Sequence, residues 1–254
     1  MSVHLVVPCF NESQRWNEDY WANMVFDTDA EFIFVDDGST DGTKQILAEF
    51  SNRTDAAFHG LRSNVGKAEA VRQGWLEILR TNDPEKVSAV GFIDADGAFA
   101  PDDVSDLITL ASDPASRNTS DAWWSSRVAL AGRNIQRDMR RHYLGRIVAT
   151  YLSLGEPTIP YDTQSGLKIF DPSEYFIQLL QVPFATRWLF EIEILARFQS
   201  FAGRPMRIWE MPLNYWVDVH GSKVTTRESM RIALELTRLK SIQRRSRTST
   251  TKVV

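Results

Sequence analysis

Two aspartates separated by one residue, Asp94 and Asp96, follow the apolar run Val87–Ile93 and precede Gly97. Paired carboxylates at a strand end suit a hard divalent cation, Mg²⁺ or Mn²⁺, which takes oxygen ligands and often keeps substrate phosphates in its shell. A solvated turn is the competing reading, because Asp-x-Asp arises often by chance. A second acidic pair, Asp36 and Asp37, closes the apolar run Phe32–Val35. Asp-Gly-Ser-Thr (37–40) is turn and capping chemistry whatever the function. Capping needs only Ser39 or Thr40, which leaves both acids without a structural task and open to a nucleobase imide N–H or ribose hydroxyls. Asn11 and Glu12 could complete such a pocket or merely cap a helix. Lys67, after Gly66 at a helix start, could approach a diphosphate or stand solvated.

These residues need elements that bring them to one place. Val3–Pro8, Glu31–Asp36, Ala56–Leu61 and Val87–Ile93 read as apolar strands, each opening into a loop and a helix, with Pro101 at the first turn of the fourth helix. Such alternation predicts an α/β fold with a mostly parallel sheet flanked by helices. Ligands of such sheets bind at the carboxyl ends of the strands, where the acidic loops would converge. After Ser120 the rhythm changes to a Trp-rich strand (Ala122–Leu130), an Arg-rich helix, a loop at Gly155–Ser165, two helices and a strand pair around Ile208–Val217. The reading is one domain over 1–222, with a donor half (1–120) and an acceptor half (121–222), then a basic helix and tail over 223–254.

The 254 residues carry a net charge of −4, which gives no global reason to expect nucleic-acid binding. The charge is uneven: residues 223–254 hold nine Lys/Arg against two Glu. Met230, Ala233, Leu234, Leu236 and Leu239 supply an apolar face among those bases, a pattern that fits an interfacial amphipathic helix with a polybasic tail or a helix packed on the core. No apolar run is long enough to span a bilayer. The lone Cys9 and the absence of a leader-like start point to a cytoplasmic protein with at most peripheral contact at the inner membrane face. Nothing in the sequence fixes an oligomeric state.

Val-Val-Pro-Cys-Phe-Asn-Glu (6–12), Phe-Val-Asp-Asp-Gly-Ser-Thr-Asp-Gly-Thr (34–43), Asn-Val-Gly-Lys (64–67) and Asp-Ala-Asp-Gly (94–97) occur in an order and spacing that resemble family 2 glycosyltransferases. The resemblance implies a GT-A (Rossmann-like) fold and a nucleotide-sugar donor. The nucleoside would be held by Pro8, Glu12, Asp36 and Asp37, and the metal and diphosphate by Asp94 and Asp96. Asp162–Lys168, Arg187–Glu193 and His220–Lys223 look like the acceptor half of the dolichyl-phosphate glucosyltransferase and mannosyltransferase branch. That likeness singles out Gln164, Ser165, Arg187 and Trp188 on the acceptor side and Lys223 toward the diphosphate. Ser165 stands where many relatives have Cys, and Glu191 where the glucosyl branch commonly has Asp; sugar and acceptor stay open on that account.

A phosphate monoester acceptor is already an anionic nucleophile near neutral pH and needs cations rather than a base. Arg133, Arg137, Arg140 and Arg141 would form one stripe if their segment is helical, able to clamp an anionic headgroup or simply to face solvent. The expected reaction is metal-assisted inverting hexosyl transfer onto a polyprenyl phosphate, with UDP-glucose favoured over GDP-mannose. Asp96 takes part through the metal, and Asp162, Glu191 or Glu193 would be the base if the acceptor is a hydroxyl. The rivals are a soluble transferase acting on a glycan or small-molecule hydroxyl and a non-catalytic nucleotide-sugar-binding domain.

Overall fold

The computed structural model describes residues 2–136, 150, 159–217 and 235. Arg137, Arg140, Arg141, His220 and Lys223 lie outside the described residues, as does the apolar face proposed for the C-terminal segment. The described chain runs β1 (Ser2–Cys9), α1 (Glu18–Asp27), β2 (Ala30–Asp36), α2 (Thr43–Ser51), β3 (Ala57–Gly60), α3 (Lys67–Thr81), β4 (Val87–Ile93), α4 (Pro101–Ser112) and α5 (Pro114–Thr119). It continues with β5 (Ala122–Ser126), β6 (Asn134–Gln136), β7 (Leu167–Phe170), α6 (Glu174–Leu179), α7 (Phe190–Ala202), β8 (Ile208–Pro212) and β9 (Tyr215–Val217).

A seven-stranded sheet has the order β3-β2-β1-β4-β7-β5-β8. β7 alone runs antiparallel to its neighbours β4 and β5; the other pairings are parallel. Parallel strands are covered on both faces, which is why β1, β2 and β4 are continuous apolar runs rather than alternating ones. One face packs against α1, α2 and α4 through Trp21, Met24, Leu47, Phe50, Val104 and Leu107. The other packs against α3, α6 and α7 through Val71, Trp75, Phe176, Phe190 and Phe198. Trp75 also donates its indole N–H to the Gly91 carbonyl at 2.8 Å, so this large buried ring leaves no polar atom unpaired.

The described residues after Ser120 depart from their sequence reading in three places. The Trp-rich strand stops at Ser126, and Arg133 follows a turn into β6 instead of beginning a helix, so it shares no helical stripe with residues further on. β8 and β9 are not partners: β8 extends the main sheet beside β5, while β9 pairs with β6 in a separate two-stranded sheet. β7 was not foreseen, because Lys168 interrupts a run of only four residues and hides its apolar character. Among the described residues no helix is long and apolar enough to cross a membrane.

Candidate active site

Because β7 runs backwards, its first residue lies beside the last of β4, in the register Ile93↔Leu167. The loop before β7 therefore opens at the sheet edge that carries the ends of β1, β2, β3 and β4. The Asp94 amide donates to the Gly166 carbonyl at 2.9 Å, fastening the Asp94–Gly97 turn to the acceptor half. A Cβ on Gly166 would overlap the Asp94 carboxylate, so glycine is what lets that side chain lie against the backbone here.

Lys67 reaches this point from the first turn of α3, its Nζ 2.5 Å from Asp94 Oδ1 and 5.0 Å from the Phe92 ring centroid. Burial works against the charge on Lys67, yet Asp94, Glu191 and Asp96 outweigh it and hold its pKa above the usual lysine value. Asp96 shows the opposite imbalance. Burial and then the neighbouring Asp94 push its carboxyl up to about 6, with Lys67 and Arg15 only partly compensating. Two neighbouring carboxylates with one ammonium paired to Asp94 leave negative charge to be neutralised, the donor set a hard dication prefers. No third His, Cys, Asp or Glu joins them in a metal-binding group among the described residues, so substrate oxygens or water would complete a coordination shell.

The residues expected to hold the nucleoside are bound to one another. Asn11, at φ 53°, accepts from the Thr40 N–H at 2.9 Å, and its own N–H donates to Ser39 Oγ at 3.0 Å. Ser39 and Thr40 are thereby spent on the β1 loop and do not cap α2, whose Thr43 N–H is instead accepted by Asp41 at 2.9 Å. Glu12 is held by Arg15 at 2.6 Å, and Pro8 pairs in register with Val35 inside the sheet. The two acids of Asp36-Asp37 do different things. Asp37 accepts from Asn64 Nδ2 at 2.9 Å, Val65 N at 2.7 Å and Gly66 N at 2.8 Å, so it has the structural task that sequence reasoning denied it: it shapes the loop delivering Lys67. Burial raises its pKa despite those N–H groups. Asp36 is wholly buried, accepts from Ser39 N at 3.2 Å, and keeps Oδ2 without a partner among the described residues.

On the acceptor side, Asp162 is an anchor rather than a base. Arg127 grips both of its oxygens at 2.8 Å, and the Arg127 and Gln164 N–H groups donate to it at 3.0 and 3.2 Å. A general base needs an oxygen open to the acceptor, and this carboxylate is both enclosed and neutralised. Glu193 is excluded on the same ground, since it accepts from Ala185, Thr186 and Arg197. Glu191 differs: Oε1 takes a 3.2 Å bond from buried Lys168, while Oε2 is buried without a partner among the described residues. Ser165 is fully buried against Ser125 and out of an acceptor's reach, whereas the Gln164 side chain is exposed. Arg187 is exposed beside the donor loop, with Nη2 2.9 Å from Asn64 Oδ1, and Trp188 next to it is 43% exposed. Trp123, Trp124 and Trp216 are buried in the core, whereas Trp209 is exposed on the outermost strand β8.

Residues 4–164 match the family described as Glycosyl transferase family 2. The chain belongs to that family. It is 28% identical to the dolichyl-phosphate beta-glucosyltransferase of Saccharomyces cerevisiae, over 92% of this chain and 72% of the yeast protein. Its fold matches that of a Pyrobaculum calidifontis mannosyltransferase, solved with GDP-Man and Mn²⁺, at a TM-score of 0.58 and 19% identity, covering 95% of this chain but only 64% of the other. It also matches a Mycobacterium tuberculosis glucosyl-3-phosphoglycerate synthase, solved with Mn²⁺, UDP and phosphoglyceric acid, at a TM-score of 0.62 and 20% identity, covering 94% and 78% of the two chains. The architecture is GT-A, and the chain is a family 2 glycosyltransferase.

Arg127, Lys168 and Glu235 escaped the sequence reading. Arg127 lies inside the expected Trp-rich strand Ala122–Leu130 but just past the observed β5, and only Asp162, 35 residues on, gives it a purpose. Lys168 and Glu235 lie in segments read respectively as motif and as amphipathic tail, and a lone charge in an apolar run carries no signal of its partner.

Proposed function

We propose that the chain transfers a hexose from a nucleotide diphosphate sugar, UDP-glucose in first place and GDP-mannose in second, to a polyprenyl phosphate, with inversion. The observation that carries this reading is the meeting of Asp94, Asp96 and Lys67 at the sheet edge where Asp36 offers a buried, unpartnered oxygen. Asp36 Oδ2 would accept from the nucleobase imide or a ribose hydroxyl, next to a loop framed by Asn11 and Glu12. Asp94 and Asp96 would hold Mg²⁺ or Mn²⁺, which when bound supplies charge neutralisation on the departing diphosphate. Lys67 would shift from Asp94 toward that diphosphate, and Arg187 would face it from the acceptor side. Asp162 keeps the acceptor loop in place through Arg127.

The lipid phosphate acceptor is supported by the likeness to the yeast dolichyl-phosphate enzyme and by the cations about the site, since such an acceptor needs neutralisation and no base. Peripheral membrane contact through the basic C-terminal sequence belongs to the same reading. A hydroxyl acceptor is the second reading, favoured by Oε2 of Glu191, which is buried and without a partner among the described residues and, once uncovered, would be the base. Labelled UDP-glucose and GDP-mannose, incubated with Mn²⁺ and a short polyprenyl phosphate and then extracted into organic solvent, distinguish the two. Label in the organic phase, abolished by chelation, is expected. Label confined to the aqueous phase despite donor binding, together with loss of all turnover in Glu191→Gln, would replace the lipid acceptor by a hydroxyl.

A further inference from the structure

Glu235 is the one residue described between 218 and 254, and it is 6% exposed. Its carboxylate accepts from three successive backbone N–H groups: Arg187 at 2.9 Å, Trp188 at 3.0 Å and Leu189 at 3.2 Å. Leu189 is the N-cap of α7 and has no side-chain acceptor to offer, so these amides form a concave anion site at a positive helix end. Glu235 fills it from a part of the sequence 46 residues away.

The held loop is the one that aims Arg187. Its guanidinium bonds Asn64 and lies against Gly66, at φ 96°, where a Cβ would overlap it. Asn64 and Gly66 are in turn fixed by Asp37, and the next residue, Lys67, pairs with Asp94. Charge-assisted bonds, joined by the covalent step from Gly66 to Lys67, therefore lead from Glu235 to Asp94, each stronger than its neutral counterpart.

We propose that Glu235 is a positioning residue for the donor diphosphate: it sets the 187–189 loop so that Arg187 is held over the Asn64–Lys67 loop, where it contacts the diphosphate. The proposal rests on the donor-site reading above. It makes Glu235, in a stretch whose sequence fits either an interfacial helix or a helix packed on the core, a working part of the catalytic domain.

The test is a double-mutant cycle on the full chain, with UDP–Mn²⁺, GDP–Mn²⁺ and the corresponding nucleosides as calorimetric probes. Glu235→Ala is expected to weaken the bound nucleoside diphosphate about tenfold, Arg187→Ala by a similar factor, and the double variant no more than Arg187→Ala alone. Nucleoside binding stays unchanged in all three, which a general loss of structure would not allow. If Glu235→Ala does not fold, Glu235→Gln, which keeps one acceptor oxygen, takes its place in the cycle. Diphosphate affinity within twofold of wild type, or independent additive losses, would overturn the proposal. Failure of the donor-site reading looks different: wild type would then bind neither diphosphate, or Asp94→Asn would bind as wild type does.

Discussion

Lys168 shows how one residue can be expensive to the fold and still be kept. Its ammonium is fully buried between the rings of Trp124 and Phe92, 4.7 and 5.4 Å from their centroids, and bonds the Ser165 carbonyl and Glu191. Burial lowers its pKa, with Glu191 opposing. Removing one member of such a pair strands the other charge, so Lys168→Met should destabilise the protein by about 3 kcal/mol in urea unfolding. Lys168→Met with Glu191→Leu should recover most of that loss while abolishing transfer if Glu191 is the base. Neither residue's pairing was legible in the sequence, because Lys168 and Glu191 are 23 positions apart and nothing local marks them as partners. Asp37 was misread for the opposite reason: an acid in a turn motif looks spare until the Val65 and Gly66 N–H groups are seen on it.

At the scale of elements, the strand-end loops were legible because parallel strands are continuous apolar runs that stop abruptly at polar residues. β1, β2 and β4 fall within a residue or so of their expected bounds, and Pro101 opens α4 as its fixed φ requires. The acceptor half was harder. Its strands are short, β7 carries a buried charge, and β8 and β9 look like a hairpin in sequence although they serve different sheets. The joint between β4 and β7 gives a direct prediction: Gly166→Ala should cost about 100-fold in kcat/KM, because a displacement near 1 Å at Asp94 is enough for that, with far-ultraviolet circular dichroism unchanged.

Asp121, just ahead of β5, belongs to this scale too. Burial opposes its charge, but hydrogen bonds from Arg204 and Arg207 prevail and hold its carboxyl well below the usual carboxylate range. A carboxyl with a depressed folded pKa contributes stability that is present above its unfolded value near ~4 and is lost as pH falls toward the folded one. Both guanidiniums are more than a third exposed, so screening limits the contribution to about 1 kcal/mol. Asp121→Asn should therefore lower Tm at pH 7 and flatten its fall between pH 5 and pH 3, read by calorimetry across that range.

Across the whole molecule, residues 1–120, recognisable from ordered motifs, are joined to the later part of the described chain by the Gly166 carbonyl on the Asp94 amide and by Arg187 on Asn64. Local pattern finds residues 1–120 because their signals sit within single strand-loop-helix units. Contacts such as Arg187 to Asn64, 123 residues apart, carry no such local signal. The central claim is that Asp94 and Asp96 make this edge a metal-dependent nucleotide diphosphate site. Calorimetric titration of UDP and GDP into wild type, Asp94→Asn and Asp96→Asn, each with Mn²⁺ and with chelator, tests it most directly. The account predicts one nucleotide bound by wild type with Mn²⁺, weakened at least about tenfold by chelation and by either substitution, as the loss of a metal ligand entails. Binding that ignores both Mn²⁺ and the loss of either carboxylate would contradict it.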